Sequence, residues 1–151
     1  MSERFHAFTT SYLTRTKRLK SKVKIISKGK ILETAALWDT GASGSCISKE
    51  VAETLGLVKT GRRGIVTPSG RAKVNTYMID LVLPNNLVIN NVVVMDSAIG
   101  TQEIGMLIGM DIIEMGDFAV SNHKGKTTIS FVVPSLQKID FVPEAKNKNM
   151  E

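Results

Sequence analysis

Along residues 23–133 short apolar, β-branched runs alternate with turn residues, and a helical period is seldom sustained. Runs at 23–27 and 31–38 flank Lys28-Gly29-Lys30. Runs at 64–67 and 72–79 flank Pro68-Ser69-Gly70, and runs at 118–121 and 127–133 flank the segment 122–126. Each pair reads as a β-hairpin. Further strands are expected at 81–83, 87–89, 92–95 and 106–108, separated by Pro84 and paired asparagines. Two short helices interrupt them. Ser48 is an N-cap for the first, with Glu50 in its first turn, Val51, Ala52 and Leu55 on one face, and Gly56 as its end. The second is expected near 111–115 and ends at Gly116. A chain so punctuated is all-β, and its turns favour a closed or sandwiched barrel.

The 151 residues suffice for one domain with a real core, since a chain of this length buries roughly two-thirds of its unfolded surface. A single cysteine, Cys46, excludes an intramolecular disulfide framework and any Cys-built metal site. Asn85, Asn86, Asn90 and Asn91 break the most hydrophobic region, so no run reaches the roughly 20 apolar residues of a membrane helix. No signal-peptide stretch opens the chain, and the expectation is a cytoplasmic protein without a membrane partner.

The net charge of +6 is unevenly spread. Residues 1–30 hold nine Lys/Arg against Glu3, leaving the remaining residues slightly acidic. Such an arm could contact nucleic acid; the reading adopted is a flexible basic leader over 1–22, a folded domain over 23–134 and a polar tail over 135–151.

Chemistry concentrates in Trp38-Asp39-Thr40-Gly41-Ala42-Ser43. An acid at the end of an apolar strand is costly unless its charge is used or paired. Thr40 adds a hydroxyl, and Gly41 permits a turn and close backbone approach. Alone, Asp-Thr-Gly is also an ordinary strand-end turn. Downstream, Leu107-Ile108-Gly109-Met110-Asp111 repeats the order apolar strand, glycine, helix, and between the two lies the hairpin tipped by Thr67, Pro68, Ser69 and Gly70.

This arrangement resembles the retropepsin-like aspartic proteases, especially their cellular and bacterial members, over about residues 23–133. The resemblance implies a closed barrel with two short helices, active as a two-fold homodimer without metal or organic cofactor. Asp39 of each chain would form the catalytic dyad, with Thr40 and Gly41 supporting it. Ala42 and Ser43 would line the cleft floor, the tip Thr67–Gly70 would close over a peptide substrate, and Ile104 and Met106 would wall a side-chain pocket favouring apolar groups or, as the alternative, be ordinary core. Leu107, Ile108 and Gly109 would pack behind the catalytic loop, and Asp111 would be structural. Viral members pair an acid after Asp-Thr-Gly-Ala with an Arg after the downstream Gly; here those positions are Ser43 and Met110. Trp38 should face away from the cleft by strand alternation. Cys46 reads as structural, because His6 and His123 lie in the leader and an expected hairpin tip and give a Cys–His pair little support. The Gly61-Arg62-Arg63-Gly64 segment is either an anion site or an exposed hairpin base. A latent enzyme, or a dimeric binding module that processes nothing, remains an alternative on the same fold.

Overall fold

In the 20–27 stretch, Ser21, Val23 and Ile25 are buried while Lys22 and Lys24 are exposed, the period-two pattern of a strand with one face on a core. The computed structural model describes residues 4–97, 99 and 103–151. Ten strands and three α-helices follow in chain order: β1 His6–Ser11, β2 Lys20–Ser27, β3 Lys30–Trp38, β4 Cys46–Ser48, α1 Lys49–Thr54, β5 Gly61–Thr67, β6 Gly70–Leu83, β7 Leu87–Ser97, β8 Met106–Ile108, α2 Met110–Ile113, β9 Asp117–Ser121, β10 Thr128–Val133 and α3 Val142–Asn149.

Six strands in the order β2-β3-β8-β4-β7-β6 close into a barrel, because β2 pairs with β6 at Lys24–Val82, Ile25–Leu81 and Ile26–Asp80. Closure removes the barrel's edges. β5 pairs with β6 alone and so extends the sheet as a hairpin arm. β3 and β8 run parallel, which places Trp38 opposite Ile108 at the point where both strands enter loops. The core holds Ile25, Ile47, Leu81, Val94, Met106 and Ile108, all inaccessible.

A second, three-stranded sheet, β1-β10-β9, packs on the barrel through aromatic rings. Trp38 stacks on Phe118 at 4.6 Å between centroids and meets Phe131 edge-on at 5.2 Å, with Phe8 at 5.9 Å. Its indole N–H donates to Ser21 Oγ at 2.9 Å. Trp38, the residue before Asp39, therefore faces the core, as alternation requires, and is anchored there.

The expected leader differs from what is observed. His6–Ser11 form β1, paired along their whole length with β10, and β2 begins at Lys20; residues 1–3 of the leader lie outside the described residues. The lysines belong to the solvent face of a barrel strand, so a charge run concealed a period of two. The asparagines also act differently from the reading. Asn85 and Asn86 make the β6–β7 turn with positive φ, but Asn91, at φ 58°, sits inside a continuous β7. Its N–H donates to Asp80 Oδ1 at 2.9 Å where the β6–β7 register shifts, so the pair bends a strand instead of ending it. The segment 135–151 carries an exposed helix, α3, that was not expected.

Candidate active site

Asp39 follows the last residue of β3, and its backbone N–H donates to Ile108 O at 2.8 Å, the terminal carbonyl of β8. The chain then turns: Ala42 N–H returns to Asp39 O at 3.2 Å, and Gly41 N–H donates to Asp39 Oδ1 at 2.9 Å. A Cβ on Gly41 would stand 3.2 Å from that same Oδ1, so glycine lets the amide reach the carboxylate. Asp39 is half-buried, while Thr40, Gly41 and Ser43 are exposed. One carboxylate oxygen is thus fixed by the backbone at an open rim.

The loop is clamped from behind by the start of α2. Met110 N–H donates to Ala42 O at 2.7 Å and Asp111 N–H to Ser43 O at 3.2 Å. Gly109 N–H donates to Ser45 Oγ at 2.9 Å. Ser45 in turn gives its hydroxyl to Asp111 Oδ1 at 2.7 Å and its amide to Oδ2 at 3.0 Å, and Ile112 N–H adds a bond to Oδ1. Asp111 thus holds the loop together and is not directed at Asp39. Gly109 passes so close that a Cβ there would lie 2.8 Å from the carbonyl oxygens of both Ala42 and Gly44. The Ser45–Asp111 bonds lie one or two residues beyond Ser43 and Met110, whose own side chains form no ion pair.

Sheet register places an apolar row beside this loop. Leu37, Leu107, Cys46 and Met95 are direct partners across β3, β8, β4 and β7, so they share one face, and each is half-buried. Burial pushes the Cys46 thiol above its ordinary range, and the Asp111 and Asp39 carboxylates add to the shift. The thiol is therefore protonated at neutral pH and is a poor nucleophile. Among the described residues no group of three His, Cys, Asp or Glu side chains is placed to hold a metal ion.

Ile104 and Met106, read as a pocket wall or as ordinary core, are 5% and 0% exposed and belong to the buried interior. Leu107, not they, faces outward on β8; an assignment displaced by one residue selects the wrong side of a strand. Leu37 was likewise missed, although its place two residues before Asp39 was a usable signal. At the hairpin tip, Pro68, Ser69 and Gly70 are exposed, and Thr67 closes the turn by donating to Gly70 O and accepting from Ser69 N–H. At the hairpin base, Arg63 Nη1 lies 3.9 Å from where a Gly44 Cβ would stand, which brings this arm next to the Asp39 loop.

Similar proteins fit this architecture. A retropepsin-like aspartic protease from Rickettsia conorii superposes with a TM-score of 0.57 at 17% identity, covering 88% of this chain and 98% of that one. The EIAV protease superposes with a TM-score of 0.51 at 20% identity, over 64% of this chain and 86% of that one. These establish a retropepsin-like fold. No curated protein sequence gives a significant match. The family model described as aspartyl protease matches residues 22–112, a span that contains the Asp39 loop, the hairpin arm and the Gly109 clamp, and the chain belongs to the aspartyl protease family.

Proposed function

We propose that the protein is a homodimeric aspartic endopeptidase in which Asp39 of each chain supplies one carboxylate of the dyad. The observation that carries this reading is the fixed, half-buried Asp39 carboxylate on an exposed Thr40-Gly41 rim, one per chain. Two carboxylates brought together by a two-fold axis cannot both ionise, so the pair retains one proton. The ionised member takes a proton from a bound water as its oxygen attacks the peptide carbonyl. The protonated member donates to the carbonyl oxygen, and the resulting tetrahedral species collapses as a proton passes to the leaving amine. Neither metal nor organic cofactor enters these steps. The Thr40 hydroxyl, which has no hydrogen-bond partner among the described residues, would bond across the axis.

Gly41, Ala42 and Ser43 would border the peptide, with Leu37 and Leu107 offering apolar contact on the same side. The tip Thr67-Pro68-Ser69-Gly70 would close over the substrate and exclude water. A protease whose sole thiol is unpaired suits a reducing, cytoplasmic setting.

The reading is tested by incubating a diverse peptide mixture with wild type and with Asp39→Asn over pH 3–8 and sequencing the products. Products made only by wild type are expected, with activity favouring mildly acidic pH because the pair titrates as a unit. A wild-type dimer that yields no specific products would overturn the proposal in favour of a binding module.

A further inference from the structure

Arg63 carries a positive charge beside the Asp39 loop that no ion pair among the described residues matches. Gly61 pairs with Thr76, and Thr76 with Met95, so these residues continue the face already formed by Leu37, Leu107 and Cys46. Arg63, two residues beyond Gly61 on the same strand, points to that same side, together with Ile65. Arg62 points to the opposite side, where Arg71 and Lys73 also lie by register. The two adjacent arginines therefore have different surroundings.

The Arg63 guanidinium and the Met95 methyl group both lie over Gly44, at 3.9 and 3.1 Å from the site of an added Cβ. Glycine leaves that space open at the far end of the catalytic loop. The segment Ala42-Ser43-Gly44 contains no carboxylate. The neighbouring Asp111 carboxylate is engaged by Ser45 and Ile112. Arg63 is exposed and forms no ion pair among the described residues. A guanidinium without an internal partner offers up to five N–H donors in a planar fork that suits a carboxylate.

The geometry points to Arg63 as the binding group for an acidic substrate side chain, an inference that rests on the peptidase reading. The cleft accordingly takes peptides bearing Asp or Glu at a position displaced from the scissile bond, because Arg63 reaches Gly44 and not Asp39. Apolar side chains meet Leu37 and Leu107 nearer the dyad, so the substrate class is a mixed peptide, apolar at the cut and acidic to one side. The same charge rejects Lys or Arg at that position, which gives discrimination of both signs.

The test scans one cleavable peptide with Glu, Gln or Lys at each position around the cut and measures kcat/KM for wild type, Arg63→Gln, Arg63→Lys and Arg63→Glu. Wild type should favour Glu over Gln by about fivefold at one position, the size of a partly exposed ion pair. The ratio should shrink with added salt, fall to near one in Arg63→Gln, persist in Arg63→Lys and turn toward Lys in Arg63→Glu. A misfolded variant would lose rate on all peptides without altering their ratio, so the ratio separates recognition from stability. Cleavage with no Glu preference at any position, or a preference that survives Arg63→Gln, overturns the inference and leaves the peptidase reading standing. If wild type cleaves none of the peptides, the peptidase reading fails separately. The same Glu and Gln peptides are then titrated against Asp39→Asn with and without Arg63→Gln. A Glu-over-Gln affinity ratio that Arg63→Gln removes upholds acidic recognition, and its absence overturns it.

Discussion

Ser45 and Asp111, sixty-six residues apart, are joined by two hydrogen bonds, hydroxyl to Oδ1 at 2.7 Å and amide to Oδ2 at 3.0 Å. The link ties the end of the Asp39 loop to the first turn of α2. Asp111→Ala removes the acceptor for both Ser45 donors and for Ile112 N–H. Unsatisfied donors of this kind cost about 1–3 kcal/mol, and urea unfolding should show a loss in that range. Peptide cleavage, where the variant is folded, should fall less than in Asp39→Asn.

Gly109→Ala tests the clamp from the other side. Its methyl group would stand 2.8 Å from two backbone oxygens, those of Ala42 and Gly44, neither of which is a flexible side-chain end. The loop must move to admit it. A destabilisation of about 2 kcal/mol or more is expected in thermal unfolding, with cleavage reduced even at temperatures where the variant is folded.

Trp38→Phe keeps a ring in the aromatic cluster but deletes the indole N–H. The buried Ser21 hydroxyl then loses the indole N–H bond, and a space opens against Phe118. Urea unfolding should register a loss of about 1–3 kcal/mol. Because Asp39 is the next residue, the same variant should show altered exchange at the Gly41 amide.

Much of this site was legible because its residue types are unusual where they stand. Asp39 ends an apolar strand, and Leu107-Ile108-Gly109 repeats that pattern downstream, so loop and clamp could both be located. Three features resisted reading for physical reasons. Lys20, Lys22 and Lys24 are the outward residues of β2, and their charge hid the inward Ser21, Val23 and Ile25. β1 exposes most of its residues and buries only Phe8, leaving little periodicity to detect. Leu107 and Met106 differ by one position along β8, and only the sheet register decides which side each takes.

Asp117 supplies a pH-dependent attachment for the segment after β10. The Ser135 hydroxyl is the main cause holding its carboxyl below the ordinary range, with the Gln137 and Leu136 amides adding to it. A depressed value means the attachment is at full strength above the ordinary Asp value of about 3.9 and is lost as pH falls through the lower folded-state value. Hydrogen exchange at the Leu136 and Gln137 amides should be slow at neutral pH and lose its protection only in stronger acid. Asp117→Asn should weaken that protection at neutral pH as well.

The central claim is that each active site needs Asp39 from two chains, and subunit mixing tests it most directly. Wild type and Asp39→Asn are mixed in equal amounts, allowed to exchange subunits, and assayed on one cleavable peptide, with dimer content checked by sedimentation. Random pairing leaves about one quarter of the dimers with two Asp39 carboxylates. Activity should therefore fall to about one quarter of that of the same total amount of wild type, and further excess of Asp39→Asn should suppress it further. Activity that stays at about one half, in proportion to wild-type content after subunit exchange is verified, would contradict a dyad shared between chains.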